Sequence, residues 1–130
     1  MAKNDVLQLA KELKITDQRE LFTKVVVSFS TMSKALNVAF GNTQGAGTDG
    51  FLGVYQDELV CFDANLLGTK PNKERFRISF EFIRFHAIKK GFLGIKLEFI
   101  VKTDHDHFKF YVSKKQLSIL EEIARLLPQT

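Results

Sequence analysis

The densest run of groups able to do chemistry is Asp104-His105-Asp106-His107, four oxygen and nitrogen donors in succession. Carboxylate with imidazole is a donor set that zinc and other transition metals accept. Consecutive residues of an extended chain point to alternate sides, however, so one hairpin tip cannot aim all four at a single ion. A polar turn between two strands is the better reading, because Asp tolerates turn backbone geometry. No metal and no cofactor is assigned to it. His86 stands in an apolar-rich run and reads as structural. Cys61, inside Leu59-Val60-Cys61-Phe62, reads as a small buried hydrophobe rather than a nucleophile.

The glycine-rich segment 41–50 (GNTQGAGTDG) raises the question of a phosphate cradle. A P-loop needs Lys-Ser/Thr directly after the glycines and a helix to follow; neither is present. A hairpin loop accounts for the segment better. No Ser, Cys or Lys lies in a nucleophile motif, and Glu121 and Glu122 sit on different parts of one helix surface. These residues point away from an enzyme. The densest basic group is Lys70, Lys73, Arg75, Arg77 and Arg84, spanning a loop and the polar face of the next strand. It reads either as a solvated sheet face or as a patch for anionic lipid or an acidic partner.

The elements that must carry these groups follow from periodicity. Asn4 or Asp5 can cap a helix whose Val6, Leu7, Ala10 and Leu13 keep helical spacing. It reads as an amphipathic extension that packs on something else. Residues 24–30 fit a helix template and a strand template, with the β-branched content favouring a strand. Strands are expected over 35–40, 51–56, 59–63, 75–80, 84–90, 95–102 and 107–112, with 24–30 as an eighth. The second and third of these should join at Asp57-Glu58, and 64–74 should be a longer loop. In 75–80 the alternation is clean: Phe76, Ile78 and Phe80 on one face, Arg75, Arg77 and Ser79 on the other. Ser113-Lys114-Lys115-Gln116 has the form of a capping box. The helix it opens runs to Leu127, where Pro128 ends it. Leu117, Leu120, Ile123, Ala124 and Leu127 form its apolar stripe, so this helix must cover a hydrophobic opening.

The expected architecture is therefore mainly β: a bent antiparallel sheet or barrel of about seven strands, plugged by a C-terminal helix, after an N-terminal helical extension. Here the chain resembles the pleckstrin-homology superfold, in its bacterial and GRAM-like branch. The resemblance rests on Gly50-Phe51-Leu52-Gly53-Val54-Tyr55 followed by Asp57-Glu58-Leu59-Val60-Cys61-Phe62, and on Ile78-Ser79-Phe80-Glu81-Phe82-Ile83. Ala87-Ile88-Lys89-Lys90-Gly91-Phe92-Leu93-Gly94 and Phe108-Lys109-Phe110-Tyr111-Val112 extend it. It covers 35–127 and leaves 1–34 as an extension of one domain. It implies a scaffold that displays loops or a sheet edge. Phosphoinositide-binding members carry several basic residues in the loop between the first two strands; here 41–50 has no Lys or Arg.

Totals fit this picture. The chain has 130 residues, enough for one core, and its 13 Phe without any Trp supply large apolar surface lacking a polar handle. A formal net charge of +4 is dispersed over 19 basic and 15 acidic residues, unlike the clustered face of a nucleic-acid binder. A lone cysteine suits a reducing compartment, and no apolar run approaches the roughly 20 residues needed to cross a bilayer. The expectation is a cytoplasmic, non-enzymatic binding or scaffold module for protein partners or self-assembly, through a strand edge or the N-terminal helix. The alternative is peripheral attachment to anionic lipid through the basic group at 70–84. A concave pocket walled by 41–50 and the basic loop would favour an anionic ligand, and a fully plugged barrel would favour surface recognition.

Overall fold

A computed structural model describes residues 3–28, 47–90 and 96–128. Helix α1 (Lys3–Glu12) precedes strands β1 (Phe22–Ser28), β2 (Gly47–Tyr55), β3 (Glu58–Ala64) and β4 (Pro71–Ser79). A single 3₁₀ turn at Phe80–Phe82 leads into β5 (Phe85–Lys90), β6 (Lys96–Lys102), β7 (His107–Ser113) and helix α2 (Leu117–Leu126). All strand pairings are antiparallel, and the seven strands form one sheet in the order β4-β3-β2-β1-β7-β6-β5.

That order makes β1 the seam of the sheet, hydrogen-bonded to β2 on one side and β7 on the other. Over its described residues, 24–28, the ambiguous segment is thus a strand, and the sheet begins at Phe22, inside the region expected to be an extension. Its alternation is blurred for a physical reason. Val25 and Val27 enter the core on the inner face, while Phe22 packs among the apolar residues of the outer face. Apolar residues on both faces blur the alternation. The expected strand 35–40 lies outside the described residues, as do residues 91–95 and most of segment 41–50. The end of that segment is not loop: Gly47 to Gly50 pair with Ser28 to Val25. The β2–β3 turn falls at Gln56-Asp57, one residue before the expected place, with Gln56 at φ +53°. Residues 71–74 likewise belong to β4, which shortens the expected 64–74 loop to 65–70.

The inner face is a single core. Leu52, Leu59, Cys61, Phe99, Phe108 and Phe110 are fully buried there or nearly so, joined by Leu120, Ile123 and Leu127 of α2. Phe76 of β4 lies 4.5 Å, centroid to centroid, from Phe108 of β7, although three strands separate them in the sheet. The sheet must therefore bend over on itself. It does not close: among the described residues β4 and β5 do not pair, and α2 seals the interior instead. The C-terminal helix begins with a 3₁₀ turn at Lys114–Gln116, where Ser113 Oγ accepts from the backbone N–H of Lys115. This is one residue short of a capping box, and Gln116 makes no side-chain cap.

The outer face is covered by α1. Ala10 and Ile15 pack on Val60 and Phe62, flanked by Leu13, Phe22 and Tyr55. Asn4 and Asp5 fall within the first helical turn rather than ahead of it. At the helix end Lys14 takes φ +61°, letting the N–H groups of Ile15 and Thr16 return to Ala10 O. The link then passes so close to β2 that a Cβ on Gly53 would stand 2.6 Å from Ile15 O. The extension thus packs on its own sheet, and Gly53 is what admits it.

Candidate functional site

The five basic residues do not form one cationic surface. Arg75 is the extra residue of a β-bulge in β4, opposite the Cys61–Phe62 step, and its side chain is buried. Its Nε donates to Asp63 Oδ1 at 2.6 Å, and its Nη2 pairs with the same carboxylate. Arg77 donates to Glu74 at 3.0 Å, Glu58 at 3.3 Å and the carbonyl of Lys14 at 3.0 Å. Arg84 forks onto Asp104, with Nε–Oδ1 at 3.0 Å and Nη2–Oδ2 at 3.3 Å. Each guanidinium is thus matched to carboxylate. Lys70 and Lys73 have no ion pair among the described residues.

The Asp-His run is a turn with internal partners. Thr103 Oγ1 accepts from the N–H groups of His105 and Asp106, and Thr103 N–H donates to Asp106 O. The Arg84 guanidinium hydrogen-bonded to Asp104 holds that carboxyl below the usual carboxylate range. His107 opens β7, and its Nε2 is buried without a hydrogen bond. Burial, and then the charges of Lys102 and Lys109, push its imidazole downward, so it stays neutral near pH 7. Among the described residues no three His, Cys, Asp or Glu side chains converge as a metal site. His86 Nε2 lies 3.0 Å from Pro128 O, tying β5 to the end of α2. Cys61 is fully buried, which pushes its thiol well above its ordinary value.

Three of the concavities among the described residues lie at the periphery. One, of about 460 Å³, lies where an anion pocket would be expected, between Thr48-Asp49 and the 63–75 hairpin. Its charged lining is Asp49, Asp63, Lys73 and Arg75, with Asp63 matched to Arg75, so it is no concentrated anion site. A second, of about 600 Å³, runs from Val6 and Leu7 of α1 past the stacked rings of Phe22 and Phe51 to Ile119. The third, of about 410 Å³, is a groove between β5 and α2, with His86 and Ile88 on one wall and Glu121, Ala124 and Arg125 on the other.

The two ends of the sheet differ. Edge strand β4 starts at Pro71, carries two register shifts and exposes Asn72, Lys73 and Glu74, all features that discourage further strand pairing. Edge strand β5 pairs with β6 in unbroken register and has a bare groove beside it. Among the described residues β6 is its one sheet neighbour.

No family model matches the chain. Over 82 residues, 61% of this chain, it is 33% identical to the spermidine/putrescine import ATP-binding protein PotA of Protochlamydia amoebophila (strain UWE25). The chain spans about a fifth of that relative's length, the matched stretch being 21% of it. Among the described residues no helix is long and apolar enough to cross a membrane.

Two features escaped the sequence reading. One is the place of Glu121 and Arg125 on a wall of the β5–α2 groove, because nothing in the helical pattern tells which neighbour a solvent-side residue borders. Leu66 and Leu67 seemed ordinary loop residues, yet they are 104% and 82% exposed. Their signal was available: an apolar pair inside a turn-rich segment, outside any periodic pattern.

Proposed function

We propose that the chain is a cytoplasmic, non-enzymatic protein-recognition module of the pleckstrin-homology-like kind, taking an extended segment of its partner along β5. The observation that carries this reading is the β5–α2 groove, where a sheet edge in regular register lies beside a half-apolar trough. An added strand would gain main-chain hydrogen bonds from that edge and seat alternate side chains against Ile88 and Ala124. The filled interior supports the same reading, since it leaves a ligand only the surface. A bent sheet of seven antiparallel strands followed by a terminal helix supports the pleckstrin-homology-like part of the reading. Similarity to a fifth of a much longer protein also fits a unit that serves as part of a larger assembly. The name of that relative refers to ATP binding, but this chain lacks the Lys-Ser/Thr of a P-loop after its glycine segment.

Selection from a random peptide library, followed by amide chemical-shift mapping, tests the reading. Extended peptides should shift residues 86–90 and 121–125, and Ala124→Arg should abolish binding while leaving the fold intact. Shifts confined to other surfaces would refute it. An edge used for self-assembly should appear as a dimer on sizing that Ala124→Arg converts to monomer.

A further inference from the structure

We propose that the β3–β4 turn is an interfacial membrane anchor, in which Leu66 and Leu67 enter a lipid surface and Lys70 and Lys73 meet its anionic headgroups. The two leucines are the central residues of a turn closed by the Gly68 N–H donating to Asn65 O at 2.9 Å. Leucine at both central positions runs against turn chemistry, which favours Gly, Pro, Asn, Asp and Ser. Their exposure is also built in. Asn65 Oδ1 accepts from the N–H groups of Thr69 at 2.8 Å and Lys70 at 3.2 Å, and Asn65 N–H donates to Lys70 O at 2.8 Å. Gly68, at φ +72°, completes the bend. The tip thus holds both side chains outward without further ordering, so inserting them forfeits little conformational entropy.

The surrounding charge selects the partner. Asp63 is matched by Arg75 and Glu74 by Arg77, while Asp49 and Lys24 both lie against Gly68 and offset one another. Lys70 and Lys73 remain as the surplus beside the apolar tip. A convex apolar pair with two ammonium groups behind it suits a bilayer surface, which needs no matching pocket. Lysine stems can lie along the boundary with their heads among phosphates. Each signal alone is weak, and the combination gives reversible attachment. This site is separate from the β5–α2 groove, so either proposal can fail without the other.

Co-sedimentation of the full chain with phosphatidylcholine vesicles, with and without phosphatidylserine, tests it against Leu66→Ser/Leu67→Ser and Lys70→Glu/Lys73→Glu. The native chain should sediment with the anionic vesicles and lose binding as salt rises. The serine pair should lower partitioning about tenfold or more. The glutamate pair should remove the preference for anionic lipid. Both variants alter exposed side chains, and unchanged circular dichroism confirms their fold. An environment-sensitive fluorophore on Leu66→Cys, with Cys61 shielded in the core, should shift to the blue on mixing. Absence of native-chain sedimentation overturns the proposal, as does equal binding by the serine pair. A serine pair that changes only the sizing profile of the chain assigns the tip to a protein pocket and overturns it as well.

Discussion

Asp17 is the best place to test the electrostatics of this fold. Its carboxylate accepts from the backbone N–H of Arg19 at 3.0 Å, from Arg19 Nη2 at 2.8 Å and from the backbone N–H of Gln56 at 2.8 Å. It thereby fastens the α1–β1 link to the β2–β3 turn. The Arg19 side-chain hydrogen bond, foremost among these, brings its carboxyl from 3.8 to about 2, against a partial cost of burial. A lowered folded-state value contributes stability above the unfolded value, and that contribution is lost as pH falls through the folded one. The window therefore runs from about pH 4 down to about pH 2. The full shift corresponds to roughly 2.5 kcal/mol at 1.36 kcal/mol per unit. The Asp17 side chain is 19% exposed and that of Arg19 39%, so solvent screening reduces this to about 1–2 kcal/mol. Asp17→Asn removes the charge and turns an amide NH₂ toward N–H donors in either orientation, because both carboxylate oxygens are in use. Urea titration, which adds no salt, should show the variant about 1–2 kcal/mol less stable at pH 7. The difference should narrow steadily between pH 4 and pH 2. A difference that stays constant over this range, or one below about 0.3 kcal/mol at neutral pH, would refute the assignment.

Gly53→Ala should drive a methyl into Ile15 O at 2.6 Å and Ile15 Cγ2 at 2.9 Å. A loss of about 2–3 kcal/mol is expected, with hydrogen-exchange protection lost first at residues 9–16; denaturant melts and exchange together check it. Lys14→Gly relieves a left-handed backbone at φ +61° and should raise stability by about 0.5–1 kcal/mol on thermal melting. Cys61 should ignore an aqueous thiol reagent in the native state and react at a rate that follows global unfolding in urea; fast labelling without denaturant would contradict its burial.

Strand β7 was legible because one face is wetter than the other. Phe108, Phe110 and Val112 alternate with His107, Lys109 and Tyr111, and only the first set is buried. β1 was ambiguous because Phe22 packs on its outer face while Val25 and Val27 fill its inner one. β3 gave an apolar run for the same reason: Leu59 and Cys61 face the inner core, while Val60 and Phe62 meet α1. Turn positions slipped by a residue because Gln56 takes a positive φ that its side chain does not advertise. The basic group was misleading as a unit. Its pairing depends on which carboxylates the β3–β4 register and the β5–β7 end bring alongside, and no periodicity within a strand encodes a cross-strand neighbour.

The same pairing leaves the rim as the surface open to the proposed recognition. Aromatic rings and α2 fill the inner face, α1 covers much of the outer face, and the arginines are matched to carboxylates. What remains is unevenly defended. β4 is blunted by Pro71, two register shifts and flanking charges, whereas β5 keeps a regular register beside an open groove. The exposed leucine pair follows a parallel logic, since a fixed turn holds in water the side chains that gain most from leaving it. Edge and tip would then divide the work, one reading a partner's backbone and the other holding the module to a surface.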